Sequence, residues 1–204
     1  GAPGSGRSTQ AELIAKKYGL IHISTSSLLK NEIRLKTERG KRVKECFAQS
    51  KLVPDEIICS LIEARIKQSD CKLNGWVLDG FPKTIQQITV LKAMKIKPSR
   101  VIVLECAKDV CVDRIVNRSF DPVTGKVYNM LDSAPTDEEV LARLVPYFAD
   151  ATRERVAKRW DVWNDFQVKV EESYQELVLK FSTEQYKIDE VKEQICEFIQ
   201  NPVF

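Results

Sequence analysis

The sequence predicts an α/β fold in which helices cover both faces of a parallel sheet. Short apolar segments alternate with helical segments through the first half of the chain, and a glycine-rich segment stands directly before the first helix. The content of 43% hydrophobic and 30% charged residues is that of an ordinary globular protein. Alternating strands and helices form right-handed βαβ units around a parallel sheet. We therefore expect one three-layer α/β domain over residues 1–204 with two inserted mobile segments.

Composition excludes several classes of protein. Lysine plus arginine number 32 against 29 aspartates plus glutamates, and the net charge of +3 is too small to indicate a nucleic-acid or membrane surface. No apolar run approaches the ~20 residues of a membrane span, and no charged-then-apolar leader opens the chain. The six cysteines form no Cys-x-x-Cys pair and His22 is the single histidine, which argues for thiols in a reducing compartment rather than a zinc site. We expect a cytoplasmic protein that binds neither nucleic acid nor membrane.

The first nine residues carry the clearest motif, Gly1-Ala-Pro-Gly-Ser-Gly-Arg-Ser-Thr9. It matches the phosphate-binding pattern G-x-x-x-x-G-K-[ST], with Arg7 in place of the lysine. Glycines let backbone N–H groups surround phosphate oxygens, and a helix that starts at once adds the positive end of its dipole. The alternative is a glycine-rich turn that binds nothing. Arg7 keeps the positive charge, but its guanidinium is larger and planar.

A phosphate-binding loop of this type follows a buried strand. No residue precedes Gly1 in the sequence. We therefore expect the first strand to be missing, either because the domain is cut from a longer chain or because the strand is contributed in another way.

Turn and capping residues place the elements that follow. Gly19 ends the first helix, Ser24 and Thr25 can cap the second, and Pro54 fits the first turn of a later one. The predicted strands are 21–25, 75–79 and 101–104, and the predicted helices are 9–18, 27–35, 38–49, 54–68, 85–94 and 107–118.

The last third predicts mainly helix. Residues 136–143 open like a capping box, residues 153–181 read as one long helix, and a final strand at 186–189 precedes a helix at 191–199. The long helix carries an apolar stripe that is either core or a docking face for a protein partner, centred on Trp160, Trp163 and Phe166. Its basic cluster is either a set of phosphate ligands or a solvated face and comprises Arg153, Arg155, Lys158 and Arg159.

Several segments, in order, resemble the adenylate kinase family of nucleoside monophosphate kinases. The family's GxPGxGKGTQ, S-T-G-D-x-L-R, D-G-F-P-R-T and D-R-I-x-x-R motifs correspond to residues 1–10, 24–30, 79–84 and 113–118, and its lid opening to 121–128. The resemblance implies a P-loop NTPase fold with a helical monophosphate-binding insert at 24–53 and a lid at 119–135. It also implies phosphoryl transfer from ATP to AMP with Mg²⁺, which no side chain ligates directly and which Asp79 orients through water.

The resemblance implies three sets of site residues. The catalytic set is Arg7, Asp79, Lys83, Arg114, Arg118 and Arg143. The ATP-binding set is Gly4, Ser5, Gly6, Arg7, Ser8, Thr9, Arg114, Val127 and Tyr128. The monophosphate-binding set is Thr25, Lys30, Lys51, Leu52, Val53, Gly80, Phe81, Pro82, Lys83 and Gln87.

The departures from the family pattern lie at positions where the resemblance implies residues that bind or transfer phosphate. Arg7 replaces the loop lysine, Lys30 and Lys83 replace arginines, and Ala157 stands where a second lid arginine is expected. Lysine cannot form the bidentate fork of an arginine with phosphate, and losing one preorganised donor typically raises a barrier by about 2–4 kcal/mol. Two functions therefore remain open. One is a kinase with weak activity, and the other is a catalytically impaired structural or nucleotide-sensing module in a larger protein, such as one of the axoneme of a cilium or flagellum.

Overall fold

The computed structural model describes residues 1–49, 51–131, 133–147 and 151–201. Position 50 of the expected insert, position 132 of the expected lid and positions 202–204 of the expected domain lie outside these ranges.

The order of elements is strand and helix in alternation, with extra helices between the first two strands. The strands are β1 (Ile21–Ser24), β2 (Trp76–Asp79), β3 (Val101–Glu105), β4 (Arg118–Phe120), β5 (Val127–Asn129), β6 (Val145–Pro146) and β7 (Val178–Ser182). The helices are α1 (Arg7–Tyr18), α2 (Thr25–Arg34), α3 (Glu38–Ala48), α4 (Asp55–Ile66), α5 (Ser69–Asn74), α6 (Ile85–Ala93), α7 (Lys108–Val116), α8 (Glu138–Arg143), α9 (Arg153–Ser173) and α10 (Ile188–Gln200).

Two of the strand pairs are parallel, as the alternation predicted. β1 pairs with β2, with Ile23 opposite Leu78, and β3 pairs with β7, with Leu104 opposite Phe181. Strands β4, β5 and β6 form a separate antiparallel sheet in the order β5-β4-β6. Parallel strands joined through helices confirm the α/β class.

The two parallel pairs border a common cavity of about 480 Å³. Strands β2 and β3 both line this cavity. Phe166 of α9 and Tyr174, the C-cap residue of that helix, also line it. No backbone hydrogen bond joins β2 to β3 within the described ranges. Side chains and helices, rather than a strand ladder, therefore connect the two pairs.

Separate apolar clusters cover the two pairs. One packs α4, α5 and α6 on β1 and includes Ile23, Ile62 and Leu91. The other packs α1 and α10 on β3 and β7. Helix α1 contacts both β2 and α10, so it spans the space between the clusters.

Two predictions for the last third were wrong. The helix predicted at 153–181 ends at Ser173, and a turn leads into β7, where Phe181 is buried against α10 rather than on a helix stripe. The strand predicted at 186–189 is instead the start of α10. Two acidic residues in the first turn of α10, Asp189 and Glu190, favour a helix N-terminus, and the backbone N–H of Lys187 donates to Glu190.

The tryptophans of α9 face the protein's own interior. Trp160 and Trp163 meet edge to face at 5.7 Å and pack on Ala2, Cys106 and Cys111. This arrangement favours the core interpretation of that part of the stripe. The six cysteines are all free thiols. Among the described helices, none combines the length and the apolar character that crossing a membrane needs.

Candidate active site

The glycine-rich loop is held tightly against α7. Gly4 has a φ of +93°, and a Cβ there would lie 2.4 Å from the carbonyl oxygen of Cys111. Gly6, also left-handed, caps α1, so the helix begins at Arg7, two residues before its predicted start at 9. Ser5 is fully buried and its hydroxyl has no hydrogen-bond partner among the described residues. The loop therefore has the backbone shape of a phosphate cradle.

Arg7 turns toward Asp79 at the end of β2. Its Nε lies 3.1 Å from Asp79 Oδ1, and its Nη1 donates to the carbonyl of Gly1 at 2.8 Å. Arg7 Nε and Asp79 Oδ1 are buried and form an ion pair, but their geometry is not that of a hydrogen bond. Neither atom has a hydrogen-bond partner among the described residues. Sequence reasoning placed both residues in the site but did not predict that they pair.

Asp79 is the electrostatic centre of the site. It is 4% exposed, accepts a hydrogen bond from the Ser8 hydroxyl at 2.7 Å, and lies 3.5 Å from His22 Nε2. Burial would raise the pKa of Asp79, but the contacts with His22, Arg7 and Ser8 outweigh it and lower the pKa to about 2. His22 was not among the predicted site residues, although its place in the strand beside β2 could have indicated it.

The turn after Asp79 places Lys83 beside Arg7. Gly80 has a φ of +78°, and a Cβ there would lie 2.7 Å from Thr25 Oγ1, which donates to the Gly80 carbonyl. Phe81 is buried and is joined to Pro82 by a cis peptide bond. The Lys83 side chain is solvent-accessible but largely surrounded by protein. The surrounding protein desolvates the Lys83 ammonium, and this desolvation is the main cause that lowers the pKa of Lys83 to about 8. The positive charges of Arg7 and Arg159 lower it further.

The Gln87 side chain forms hydrogen bonds with other groups of the protein. Its Oε1 accepts from the backbone N–H of Lys83 at 2.6 Å, and its Nε2 donates to Asp55 at 2.6 Å. Asp55 also accepts from the Thr84 hydroxyl at 2.8 Å. Sequence reasoning treated Asp55 only as the start of a helix, yet its carboxylate joins α4 to the turn that carries Lys83.

Lys30 and Arg118 approach the same aromatic ring. The Lys30 ammonium lies 5.9 Å and the Arg118 guanidinium 5.8 Å from the ring centre of Tyr147. The backbone N–H of Tyr147 also donates to the Arg118 carbonyl at 2.9 Å. Cation–π attraction thus brings a predicted monophosphate ligand and a predicted catalytic arginine together. Tyr147 was not predicted, because its contacts are distant in sequence.

Arg114 is tied to the end of β7. It donates to the carbonyl of Thr183 at 2.6 Å and to the Thr183 hydroxyl at 3.2 Å, and it contacts the Cys106 sulfur at 3.4 Å. A contact with the Cys111 thiol, followed by Thr183 and Arg114, lowers the pKa of Cys106 to about 7 against the opposing effect of burial. The guanidinium is therefore held at the carboxyl ends of β3 and β7.

Arg143 lies at the end of α8 and pairs with Asp121 next to the small sheet, rather than with Asp79. It donates through Nε and Nη2 to the two carboxylate oxygens of Asp121, each at 2.8 Å, and the Asp121 side chain is fully buried. This pair connects α8 to the β4–β5 turn. Val127 and Tyr128 lie on β5 of the same sheet, which extends through β6 beyond the expected lid end at 135.

The remaining predicted residues are spread around this centre. Thr9 lies in the first turn of α1. Lys51 and Leu52 are exposed, whereas Val53 is buried with the insert helices. In the basic cluster of α9, Arg153 pairs with Asp113, and Arg159 is close enough to Lys83 to lower its pKa. Ala157 packs on α7.

Asp79 and Ser8 have the donor chemistry that Mg²⁺ prefers. The Asp79 Oδ1 atom is a buried acceptor without a hydrogen-bond partner among the described residues, and the Ser8 hydroxyl lies beside it. Mg²⁺ takes hard oxygen ligands and retains several waters. The residues present therefore fit a hydrated Mg²⁺ ion, which Asp79 and Ser8 would help to hold beside the loop.

Fold and loop together define a nucleotide-binding α/β protein of the P-loop class. The family model "Adenylate kinase" matches residues 1–178. The chain is 41% identical over 180 residues to "Adenylate kinase, chloroplastic" of Zea mays, covering 88% of this chain and 81% of the relative. It is 45% identical over 159 residues to "Probable adenylate kinase 2, chloroplastic" of Oryza sativa subsp. japonica, covering 78% and 54%. It is 38% identical over 144 residues to "Adenylate kinase 8" of Danio rerio, covering 71% and 30%.

The chain belongs to the adenylate kinase family. Members of this family transfer a phosphoryl group to a nucleoside monophosphate and use ATP with Mg²⁺. The chain spans about half the length of the rice relative and 30% of the zebrafish relative.

Proposed function

We propose that this chain transfers the terminal phosphoryl group of ATP to AMP or a related nucleoside monophosphate, at a reduced rate. The observation that carries the proposal is the convergence of Arg7, Lys83 and Arg159 near Asp79, at the end of a phosphate-binding loop. Phosphoryl transfer needs little covalent help from the protein but needs concentrated positive charge around the transferred group.

The chain's own residues have separate tasks in this reaction. The loop backbone and Arg7 bind the ATP phosphates, while Thr25 and the turn at Gly80 shape the monophosphate side. Lys30 and Arg118, joined through Tyr147, bring positive charge from the insert and from the start of the small sheet. Mg²⁺, when bound beside Asp79 and Ser8, supplies charge neutralisation on the nucleotide. Closure of insert and lid would exclude water, which prevents hydrolysis of ATP.

A reduced rate follows from the two lysines. A lysine offers a point charge where an arginine would grip two phosphate oxygens, so binding is retained better than transition-state stabilisation. A second candidate function is a nucleotide-sensing or structural module within a larger protein of the cytoplasm or of a ciliary or flagellar axoneme. The pairing of Arg7 with Asp79 favours it, because that contact occupies both groups.

The deciding experiment is ADP formation from ATP, AMP and Mg²⁺, with an Arg7→Ala variant to exclude a contaminating kinase. Kinase turnover usually lies at about 1–100 s⁻¹. We expect slower, variant-sensitive turnover that rises in a Lys30→Arg/Lys83→Arg double variant. Absence of any variant-sensitive turnover, with nucleotide binding retained, would favour the sensing module.

A further inference from the structure

Two cysteines contact each other where β3 ends and α7 begins. Cys106 directly follows β3 and Cys111 lies in α7. The Cys111 thiol donates to the Cys106 carbonyl at 3.7 Å, and both side chains pack on Ala2 in one apolar cluster. The two thiols are also in hydrogen-bond contact, which lowers the pKa of Cys106 and raises the pKa of Cys111. Sulfur atoms in contact can form a disulfide through side-chain rotation, with little movement of the backbone.

The surroundings of Cys106 favour its thiolate. Arg114 Nη1 donates to the Cys106 sulfur at 3.4 Å, and the other contacts of this guanidinium are the neutral hydroxyl and carbonyl of Thr183. Within the described part of the chain, Arg114 forms no ion pair with a carboxylate, so its charge acts on the sulfur. The Glu184 carboxylate, which accepts from the backbone N–H of Ala107, opposes this effect. A thiolate beside an arginine is the reactive form of a cysteine.

Two other buried cysteines differ from Cys106 in their charge environment. Arg65 also donates to a sulfur, that of Cys71, but the same guanidinium binds both carboxylate oxygens of Asp70 at 2.8 Å. Burial is the largest effect on Cys71 and raises its pKa. Cys59 is 5% exposed, and burial raises its pKa to about 11. Cys106 is 7% exposed, so burial alone does not distinguish it from Cys59.

We propose that Cys106 is a site of oxidation by hydrogen peroxide and that Cys111 converts the oxidised residue into an intramolecular disulfide. The Cys106 thiolate attacks one peroxide oxygen, so that an S–O bond forms and the O–O bond breaks. The sulfur is oxidised to a sulfenic acid, and the other oxygen leaves as hydroxide, which takes up the proton that the thiol had lost. Cys111 is fully buried, so the peroxide meets Cys106 first.

The second step joins the two sulfurs. Cys111 loses its proton and its sulfur attacks the sulfur of Cys106, so that the S–S bond forms and the S–O bond breaks. The departing hydroxide and the released proton combine to water. Two thiols and one peroxide thus give one disulfide and two waters. The proposal is independent of the proposed kinase function, because neither cysteine takes part in phosphoryl transfer.

The test is treatment of the reduced protein with hydrogen peroxide, followed by alkylation and tryptic peptide mapping. Trypsin cleaves after Lys108, between the two cysteines, so the disulfide joins peptides 101–108 and 109–114 until dithiothreitol separates them. Modification of Cys106 should be about tenfold or more faster than that of Cys59 in the same molecule, because more of Cys106 is thiolate. Dimedone, which labels sulfenic acids, should trap about threefold or more Cys106 in Cys111→Ser than in the unaltered protein.

A matched control removes another buried thiol. Cys196→Ser should leave the joined peptides and the rate at Cys106 unchanged. The proposal is overturned if Cys106 is not oxidised, if Cys59 reacts as fast, or if oxidised Cys106 does not pair with Cys111. If Cys111→Ser fails to fold by its melting temperature, Cys111→Ala should give the same gain in dimedone labelling. The comparison of Cys106 with Cys59 needs no variant, so it decides the first step in either case.

Discussion

Under the proposed function, Lys83 should make monophosphate binding sensitive to pH. Its pKa is lowered to about 8, so its charge is present below that pH and is lost as the pH rises through it. Affinity for AMP should fall by up to about tenfold between about pH 7 and about pH 9, because an ordinary lysine would remain charged there. Calorimetric titrations at the two pH values measure the change. Lys83→Arg keeps its charge and should show a flat profile, and equal slopes in both proteins would contradict the assignment.

Asp55 supports the turn that holds Lys83. Its carboxylate accepts from Thr84 and Gln87, so Asp55→Ala leaves two donors without their partner and should lower the free energy of unfolding by about 1–3 kcal/mol. Urea denaturation measures the loss. Glu56→Ala, at the next and exposed position, should stay within about 0.5 kcal/mol. Equal losses in the two variants would show that the network does not stabilise the turn.

Individual contacts of the site could be predicted only where sequence spacing determines them. Motif spacing puts Arg7 at the start of α1, Asp79 at the end of β2 and Lys83 in the turn that follows, since loop and turn spacing fix those positions. It could not reveal that Arg143 bonds Asp121 or that Lys30 meets Tyr147, because these partners come from distant segments. Such pairs depend on how insert and lid fold back, which a linear pattern does not encode.

At the scale of elements, two apolar side chains of β7 differ sharply in burial. Phe181 is 6% exposed and Leu179, two positions before it, is 42% exposed. Phe181→Ala should lower the free energy of unfolding by about 3–5 kcal/mol because it empties a core position. Leu179→Ala should cost less than about 1 kcal/mol. Chemical denaturation of both variants measures the difference, and comparable losses would contradict the burial of Phe181 in the core.

The small sheet depends on the pair of Arg143 and Asp121. Arg143→Ala leaves the buried carboxylate without its cation, so β4 and β5 should lose protection against amide exchange while β1 and β2 keep theirs. Hydrogen exchange followed by mass spectrometry resolves the two regions. Arg153→Ala, which removes an exposed pair with Asp113, is the control. Unchanged exchange in β4 would show that other contacts hold the sheet.

The sequence predicted elements well where turns mark them and less well where they do not. Strands β1, β2 and β3 begin and end within about one residue of their predicted bounds, since Gly75, Pro54 and the capping residues punctuate that part of the chain. Between 174 and 189 glycine and proline are absent. In this segment the spacing of apolar residues by three and four is compatible with a helix as well as with a strand. Pairing with β3, which the sequence pattern does not show, makes residues 178–182 a strand.

At the scale of the whole molecule, the chain combines two strand pairs with an antiparallel sheet. The tie between the pairs is formed by α1 and α9 rather than by a ladder. Lys30 on the insert also reaches Tyr147 beside the small sheet. The positive charges of the site therefore come from segments that belong to different packing clusters, which suits a site that assembles when those segments approach one another.

The cavity between β2 and β3 has a consequence for cooperativity. A two-stranded sheet has little stability of its own, and here each pair depends mainly on its own helix cluster, with Val77 of β2 also packed in the cluster of β3 and β7. Residues 1–204 taken alone should therefore unfold as two units rather than in one transition. In native-state hydrogen exchange at rising urea, amides of β1 and β2 would merge into one isotherm and those of β3 and β7 into another. A single common isotherm would mean that α1 and α9 couple the halves strongly enough for one transition.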